Sequence, residues 1–267
     1  METKHPTIEK TKLPNIKNII IVASGKGGVG KSTVAAGLAL SLAQEGYATG
    51  LLNADIYGPS VPVLFNLQGE KPGLEERDSK NYMIPMERYG IKLMSIGFFL
   101  NPHDPVLWRG PLASGGLNQL ITETSWGNLD YLVIDTPPGT GDIHITLVQK
   151  YNITSSIIVT TPQKIALSDV KKAISMFQSS HVNVKVMGIV ENMAWFTPSV
   201  HPLEKYFLFG KGGGDLLSKE FGVPVLSQIP LNEKLCETCD EGKLGELFND
   251  QMVKSAFNKL TDSITHN

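Results

Sequence analysis

The chain has 267 residues, 41% of them hydrophobic, with 24 Lys and Arg against 26 Asp and Glu for a formal net charge of −2. That length allows one large α/β domain or two small ones, and so small a charge gives no global attraction to nucleic acid or to an anionic membrane. No apolar run approaches the roughly 20 residues that span a bilayer, and Met1-Glu2-Thr3-Lys4-His5-Pro6 lacks the apolar core of a secretion signal, so a cytoplasmic protein is expected.

Residues 1–16 are polar, carry two prolines and read as a loose lead-in. Residues 18–23 are a short β-branched run suited to a buried parallel strand, and the Ala/Leu-rich residues 34–43 suit a helix packed on a sheet. Residues 48–55 form a second apolar run ending on polar residues. A charged stretch punctuated by Gly and Pro follows over 69–79, then two short runs, 82–86 and 91–96, expected as a hairpin or edge strands. Further buried strands are expected at 131–135, 156–160, 184–190 and 223–226, and helices at 111–124 and 165–179. Alternating strands and helices argue for an α/β fold with one doubly wound, mostly parallel sheet, and residues 17–267 read as a single domain. From 244 to 264 the apolar positions fall on one helical stripe. Its lysines are offset by Asp250 and Asp262, so it is expected to pack on its own sheet and not on a membrane.

Between the first strand and the first helix lies Gly25-Lys26-Gly27-Gly28-Val29-Gly30-Lys31-Ser32-Thr33. The pattern G-x-x-x-x-G-K-S in a strand–loop–helix setting is a phosphate-binding loop. Its glycines let successive N–H groups turn inward on one anion, and the helix N-terminus adds partial positive charge. Lys31 is expected to reach the β- and γ-phosphates of a nucleoside triphosphate, with the Ser32 hydroxyl on Mg²⁺.

Ligands of an open parallel sheet sit beyond the carboxyl ends of its strands. Asp55 and Asp135 each end an apolar run there. Asp135 is expected to hold a Mg²⁺-bound water and Asp55 to orient the attacking water or a Mg²⁺ water; a strand-ending Asp also serves as a helix cap. After Asp135 come Thr136-Pro137-Pro138-Gly139-Thr140-Gly141-Asp142. Gly139 offers an unhindered N–H for sensing a γ-phosphate, and Asp142 a cap for the next helix. Lys26 is a second loop lysine with no obligatory part in a phosphate cradle. It is read either as a solvated surface lysine or as a charge supplied to the transferred phosphoryl of a neighbouring subunit.

Taken together, these residues resemble the Mrp/ApbC-type ATPases of the deviant Walker A group, which also holds MinD, ParA and the nitrogenase iron protein. The resemblance rests on residues 22–33, Ala54-Asp55-Ile56-Tyr57-Gly58-Pro59-Ser60, Trp108-Arg109-Gly110-Pro111, residues 126–142, and Gly188-Ile189-Val190-Glu191-Asn192-Met193. It implies a MinD-like P-loop NTPase fold and a Mg²⁺-dependent ATPase that is a homodimer with nucleotide at the subunit interface. Lys26 then reaches the partner's phosphates, Asn192 hydrogen-bonds the adenine, and the loop from Pro230 flanks the base. The implied role is assembly of iron–sulfur clusters and their transfer from scaffold proteins to recipient apoproteins, with the cluster bridging the dimer. Neither nucleic acid nor a membrane is expected as a partner.

The chain departs from that family where relatives carry C-x-x-C after the Asn-Met motif: here the segment is Trp195-Phe196-Thr197-Pro198-Ser199-Val200-His201-Pro202. The two cysteines of the chain, Cys236 and Cys239, follow Ile229-Pro230 instead, in a segment expected as a loop near the base. Their spacing suits a metal, or a cluster shared with a symmetry mate, since two thiolates fill half of a four-thiolate site; it equally suits two ordinary loop thiols. The rival reading of the whole chain is a MinD/ParA-like positioning scaffold switched by ATP, which calls for a basic tail or patch that the sequence lacks.

Overall fold

The computed structural model describes residues 10–56, 58–100 and 111–266. The first elements are β1 (Ile16–Ser24), α1 (Lys31–Gln44), β2 (Thr49–Asn53) and the single turn α2 (Val61–Leu64). Then come β3 (Gly73–Arg77), β4 (Lys80–Ile84), β5 (Met86–Arg88), β6 (Ile91–Ser95), α3 (Pro111–Thr122), β7 (Leu129–Asp135) and α4 (Asp142–Lys150). The rest is β8 (Ser155–Thr160), α5 (Lys164–Gln178), β9 (Val186–Glu191), α6 (Gly213–Phe221), β10 (Val225–Gln228), α7 (Glu233–Asp240) and α8 (Gln251–Thr265).

Among the described residues eight strands form one sheet in the order β10-β9-β8-β1-β7-β2-β6-β5, parallel throughout except for β5. β2 and β8 are buried along their whole length, as strands covered on both faces must be. Right-handed crossovers carry α1 to one face and α3 to α6 to the other. The packing agrees: α1 lies against α8, α3 against α4, and α5 against α6. The order reverses beside β1, which places a crevice at its carboxyl end.

Three expectations about local structure change. The charged stretch 69–79 contributes β3 and both turn residues of a hairpin, β3–β4. Its two turn residues, Asp78 and Ser79, have φ of 50° and 61°, as a two-residue hairpin turn requires. The run 82–86 is split between β4 and β5 at Pro85, which has no N–H to give a ladder. Its partner run, β6, forms a hairpin with β5 but is no edge strand: it lies inside the sheet, parallel to β2, with Ile91 and Leu93 buried.

The C-terminal stripe is broken into a 3-10 turn, Leu244–Asn249, and α8. Asp250 makes the break by capping α8, its carboxylate accepting from the N–H groups of Met252 and Val253. Val253, Phe257, Leu260 and Ile264 then face inward, and α8 packs against α1 and β10. Among the described residues no helix is long and apolar enough to cross a membrane.

Candidate nucleotide site

The loop from Gly25 leaves the carboxyl end of β1 and turns into α1 at Lys31. Gly30 is the N-cap, with φ 79°, and no side chain caps the helix. The first-turn amides are thereby offered to an anion. A cavity of about 240 Å³ lies over them, bounded by Gly27, Gly28, Lys31, Ser32, Asp55 and Pro138.

The loop is held from behind at two points. Gly25 packs so closely on α5 that a Cβ would stand 2.4 Å from the Asp169 carbonyl carbon. A Cβ on Gly30 would stand 2.2 Å from Nδ2 of Asn192, which donates to the Val29 carbonyl at 2.8 Å. Asn192 therefore grips the phosphate loop here. The adenine contact implied for it needs this amide to turn or to share its donors.

Sheet register then builds a buried polar row. Ser95, Asn53 and Asp135 are paired neighbours at the ends of β6, β2 and β7. The Ser95 hydroxyl donates to Asn53 Oδ1 at 3.0 Å, and Asn53 Nδ2 donates to Asp135 Oδ2 at 3.0 Å. The other carboxylate oxygen of Asp135 meets Lys31 Nζ at 2.5 Å, with Asp55 Oδ2 at 3.9 Å and Ser32 Oγ at 3.3 Å from the same nitrogen. Lys31 is 6% exposed and Asp135 1%, so each charge depends on the other for compensation. Asp55 also accepts from the Gly58 N–H at 3.3 Å.

Lys31, Ser32, Asp55 and Asp135 are thus brought together, along with Gly27, Gly28, Gly30 and Thr33 of the loop. Lys26 lines the same cavity, and its ammonium reaches Gln163 Oε1, the N-cap residue of α5, at 3.3 Å. Pro230 is buried after β10, apart from the residues bounding the cavity, next to Leu231, whose N–H bonds the Trp195 carbonyl. The Gly139 N–H is not open: it donates to the Ser24 carbonyl at 2.8 Å and so ties the segment after Asp135 to the end of β1. Asp142 is the first residue of α4 and not its cap, which is Gly141. Tyr57, Trp108, Arg109 and Gly110 lie outside the described residues.

The cysteines are not in a loop. Asn232 caps α7 by accepting from the Leu235 N–H, which draws both cysteines into the helix. Cys236 is exposed and Cys239 buried. Burial pushes the Cys239 thiol up to about 11, against a hydrogen bond from Thr33 that lowers it. Among the described residues no group of three or more His, Cys, Asp and Glu side chains is placed to hold a metal ion. His201 lies exposed near Glu204. The 195–202 segment folds back through a bridge between Phe196 and Tyr206, and Lys205 sits over the Trp195 ring.

Four contributors escaped the sequence reading: Asn53, Ser95, Gln163 and His144. His144, on α4, is 1% exposed with neither ring nitrogen hydrogen-bonded, and burial, helped by the Lys31 charge, lowers it to about 4. It lines a neighbouring cavity of about 390 Å³ together with Asp55, Pro138 and Gly141. One histidine on the apolar stripe of Ile143, Leu147 and Val148 reads as an ordinary core residue; only the fold puts it beside the phosphate loop.

The sheet order, the loop at its crevice and the Lys–Asp pairing define a P-loop NTPase of the MinD/ParA type. Residues 15–265 match the family model described as NUBPL iron-transfer P-loop NTPase, within ParA, and the chain belongs to that family. An iron-sulfur cluster carrier protein of Aquifex aeolicus is 50% identical over 243 residues, which are 90% of this chain and 65% of that protein. One of Pseudomonas fragi is 51% identical over 232 residues, 86% of this chain and 79% of that protein. The iron-sulfur cluster transfer protein NUBPL of Dictyostelium discoideum is 44% identical over 241 residues, 90% and 73%. The chain thus spans a little under two thirds of the Aquifex protein. Among solved structures, a nucleotide-binding protein of Archaeoglobus fulgidus in complex with ADP superimposes with a TM-score of 0.77 at 38% identity, over 92% of this chain and 93% of that one. The cell division ATPase MinD of Pyrococcus furiosus gives 0.67 at 19% identity, over 93% and 98%, a likeness of fold alone.

Proposed function

We propose that this chain binds ATP with Mg²⁺, hydrolyses it as a homodimer, and uses that cycle in the transfer of iron–sulfur clusters to recipient apoproteins. The observation that carries the reading is the Lys31–Asp135 pair standing under an uncapped helix N-terminus. An ammonium that lines the cavity and a buried carboxylate behind it are the two charges that a metal–triphosphate complex needs to exchange with.

Ser32 and Asp135 fit Mg²⁺: a hydroxyl and a carboxylate, both hard oxygen donors, each lie within 3.3 Å of the Lys31 nitrogen. Bound there, the ion neutralises charge on the β- and γ-phosphates. Lys31 leaves Asp135 for the phosphates, the loop amides cradle them, and Asp55 orients water at the γ end. Lys26 exchanges Gln163 for the phosphates of the second subunit.

The cluster is cargo. Two cysteines in the chain, one of them buried, do not supply a four-thiolate site from one subunit. The family and the carrier relatives support the transfer role; the residues that hold the cluster are left to experiment. Anaerobic reconstitution with iron and sulfide, in the wild type and in a Cys236→Ser/Cys239→Ser variant, tests them. Retained cluster in the variant removes the pair from the site, and a wild type that stays iron-free removes carriage by this chain alone. Phosphate release from ATP in the wild type and in Lys31→Ala tests the nucleotide reading, which fails if the variant binds and turns over normally.

A further inference from the structure

Asn232 caps α7 and so sets Cys236 and Cys239 three residues apart on one helix. Helical rise and turn put their Cα atoms about 5 Å apart, inside the span of about 4.4–6.8 Å that a disulfide bridges. Their surroundings differ. Cys236 is exposed, its Sγ 3.8 Å from Asp240 Oδ2, and Cys239 is buried. Cys239 also accepts a hydrogen bond from the side chain of Thr33. Thr33 lies in the first turn of α1, next to Ser32, and bounds the cavity over the phosphate loop. A single hydrogen bond therefore links the inner thiol to the wall of the nucleotide site.

We propose that Cys236 and Cys239 form a reversible disulfide within α7 that weakens nucleotide binding. The binding half rests on the nucleotide reading above; the disulfide half does not. The oxidant is hydrogen peroxide. The Cys236 sulfur gives up its proton and attacks one peroxide oxygen, and the O–O bond breaks. The other oxygen takes that proton and leaves as water, with Cys236 left as a sulfenic acid. The Cys239 sulfur then attacks the Cys236 sulfur, its proton goes to the departing hydroxyl, and a second water leaves as the S–S bond forms. The two thiols lose two electrons in all, and the peroxide gains them. Burial divides the work: the exposed thiol meets the oxidant and the buried one resolves it. Closing the bridge distorts the turn, because side chains at this spacing hold their Cβ atoms about 5–6 Å apart and a disulfide needs about 3.5–4.5 Å. Cys239 is drawn toward Cys236 and away from Thr33. α7 has eight residues, a marginal length for a helix by itself, so it yields. A bridge strained in this way is readily reduced, as a switch requires.

The test treats the iron-free protein with hydrogen peroxide and reads titratable thiols, intact mass and affinity for a fluorescent ATP analogue. The wild type is expected to lose both thiols and two hydrogens of mass. Its nucleotide affinity falls about fivefold, the scale of one neutral hydrogen bond, and dithiothreitol restores thiols and affinity together. Cys239→Ser stops at a sulfenic acid that dimedone traps, Cys236→Ser resists the same dose, and neither variant loses affinity on treatment. A wild type that gains oxygen without losing two hydrogens, or that links two copies on a non-reducing gel, overturns the disulfide. A disulfide that forms with affinity unchanged overturns the switch. A reduced wild type that binds no analogue overturns the nucleotide reading, while mass and thiol count still decide the disulfide.

Discussion

Lys31 Nζ lies 2.5 Å from Asp135 Oδ1, and both side chains are buried. Each is the other's main compensation, so neither charge can leave without a replacement. A triphosphate that takes Lys31 leaves Asp135 wanting a cation, and a divalent cation that takes Asp135 leaves Lys31 wanting an anion. Nucleotide and metal are expected to bind together far better than either does alone.

Replacing Lys31 by Ala strips Asp135 of that partner as well as removing the phosphate contact. ATP binding is expected to disappear, and stability to fall by roughly 3 kcal/mol at neutral pH, the cost of breaking a buried pair from one side. Denaturant titration at pH 7 measures the second effect. A variant as stable as the wild type would show that Asp135 is relieved by some other group.

Lys26→Ala is expected to keep nucleotide affinity, since the Lys26 ammonium bonds Gln163 and not the loop. Turnover should fall by about 10³, the scale of a charge supplied in trans to a transferring phosphoryl. Mixing this variant with Lys31→Ala gives a sharper readout. If Lys26 acts across subunits, mixed dimers hold one complete site and recover activity that neither variant has alone; no recovery places Lys26 in its own subunit's site.

Gly30→Ala should impair nucleotide binding for two separable reasons. A φ of 79° costs a side-chain-bearing residue roughly 1–2 kcal/mol, and the new methyl meets the Asn192 amide. Adding Asn192→Ala relieves the second and not the first, so the double variant recovers affinity in part, as read by isothermal titration. If it recovers nothing relative to Gly30→Ala, the Asn192 grip on the loop is not what positions it.

His144 makes stability pH-dependent. Its folded value, about 4, lies below the ordinary 6.5, so between these the unfolded chain takes up a proton that the folded chain refuses. Stability from this residue is complete above about pH 6.5 and is lost as pH falls toward 4, by up to roughly 3 kcal/mol. His144→Leu should flatten that part of the curve, measured as the difference in unfolding free energy between pH 7 and pH 4.5. An equal difference in wild type and variant would mean that the imidazole is not held neutral.

The alternation of elements was legible because buried parallel strands are short apolar runs wherever they occur, and 18–23, 131–135 and 156–160 are such runs. The hairpin at Asp78–Ser79 was not, because it lies among charged residues, and its signal is a pair of positive φ values that Asp and Ser adopt without announcing them. The cysteines were misplaced for a related reason. Whether residues 233–240 coil or loop depends on a cap at Asn232, whose amide also bonds Asp250, 18 residues on.

What the sequence by itself determined is the phosphate chemistry: consecutive residues from Gly25 to Thr33 make an anion site from their own backbone, so spacing along the chain is spacing in space. What only the tertiary structure decided is the wall that this site leans on. Ser95 meets Asn53 across 42 residues and Asn53 meets Asp135 across 82. Those pairings are set by sheet register, which no local pattern records. His144, Gln163 and the grip of Asn192 on Val29 belong to the same class: polar contacts made between elements that only the packing of the sheet brings together.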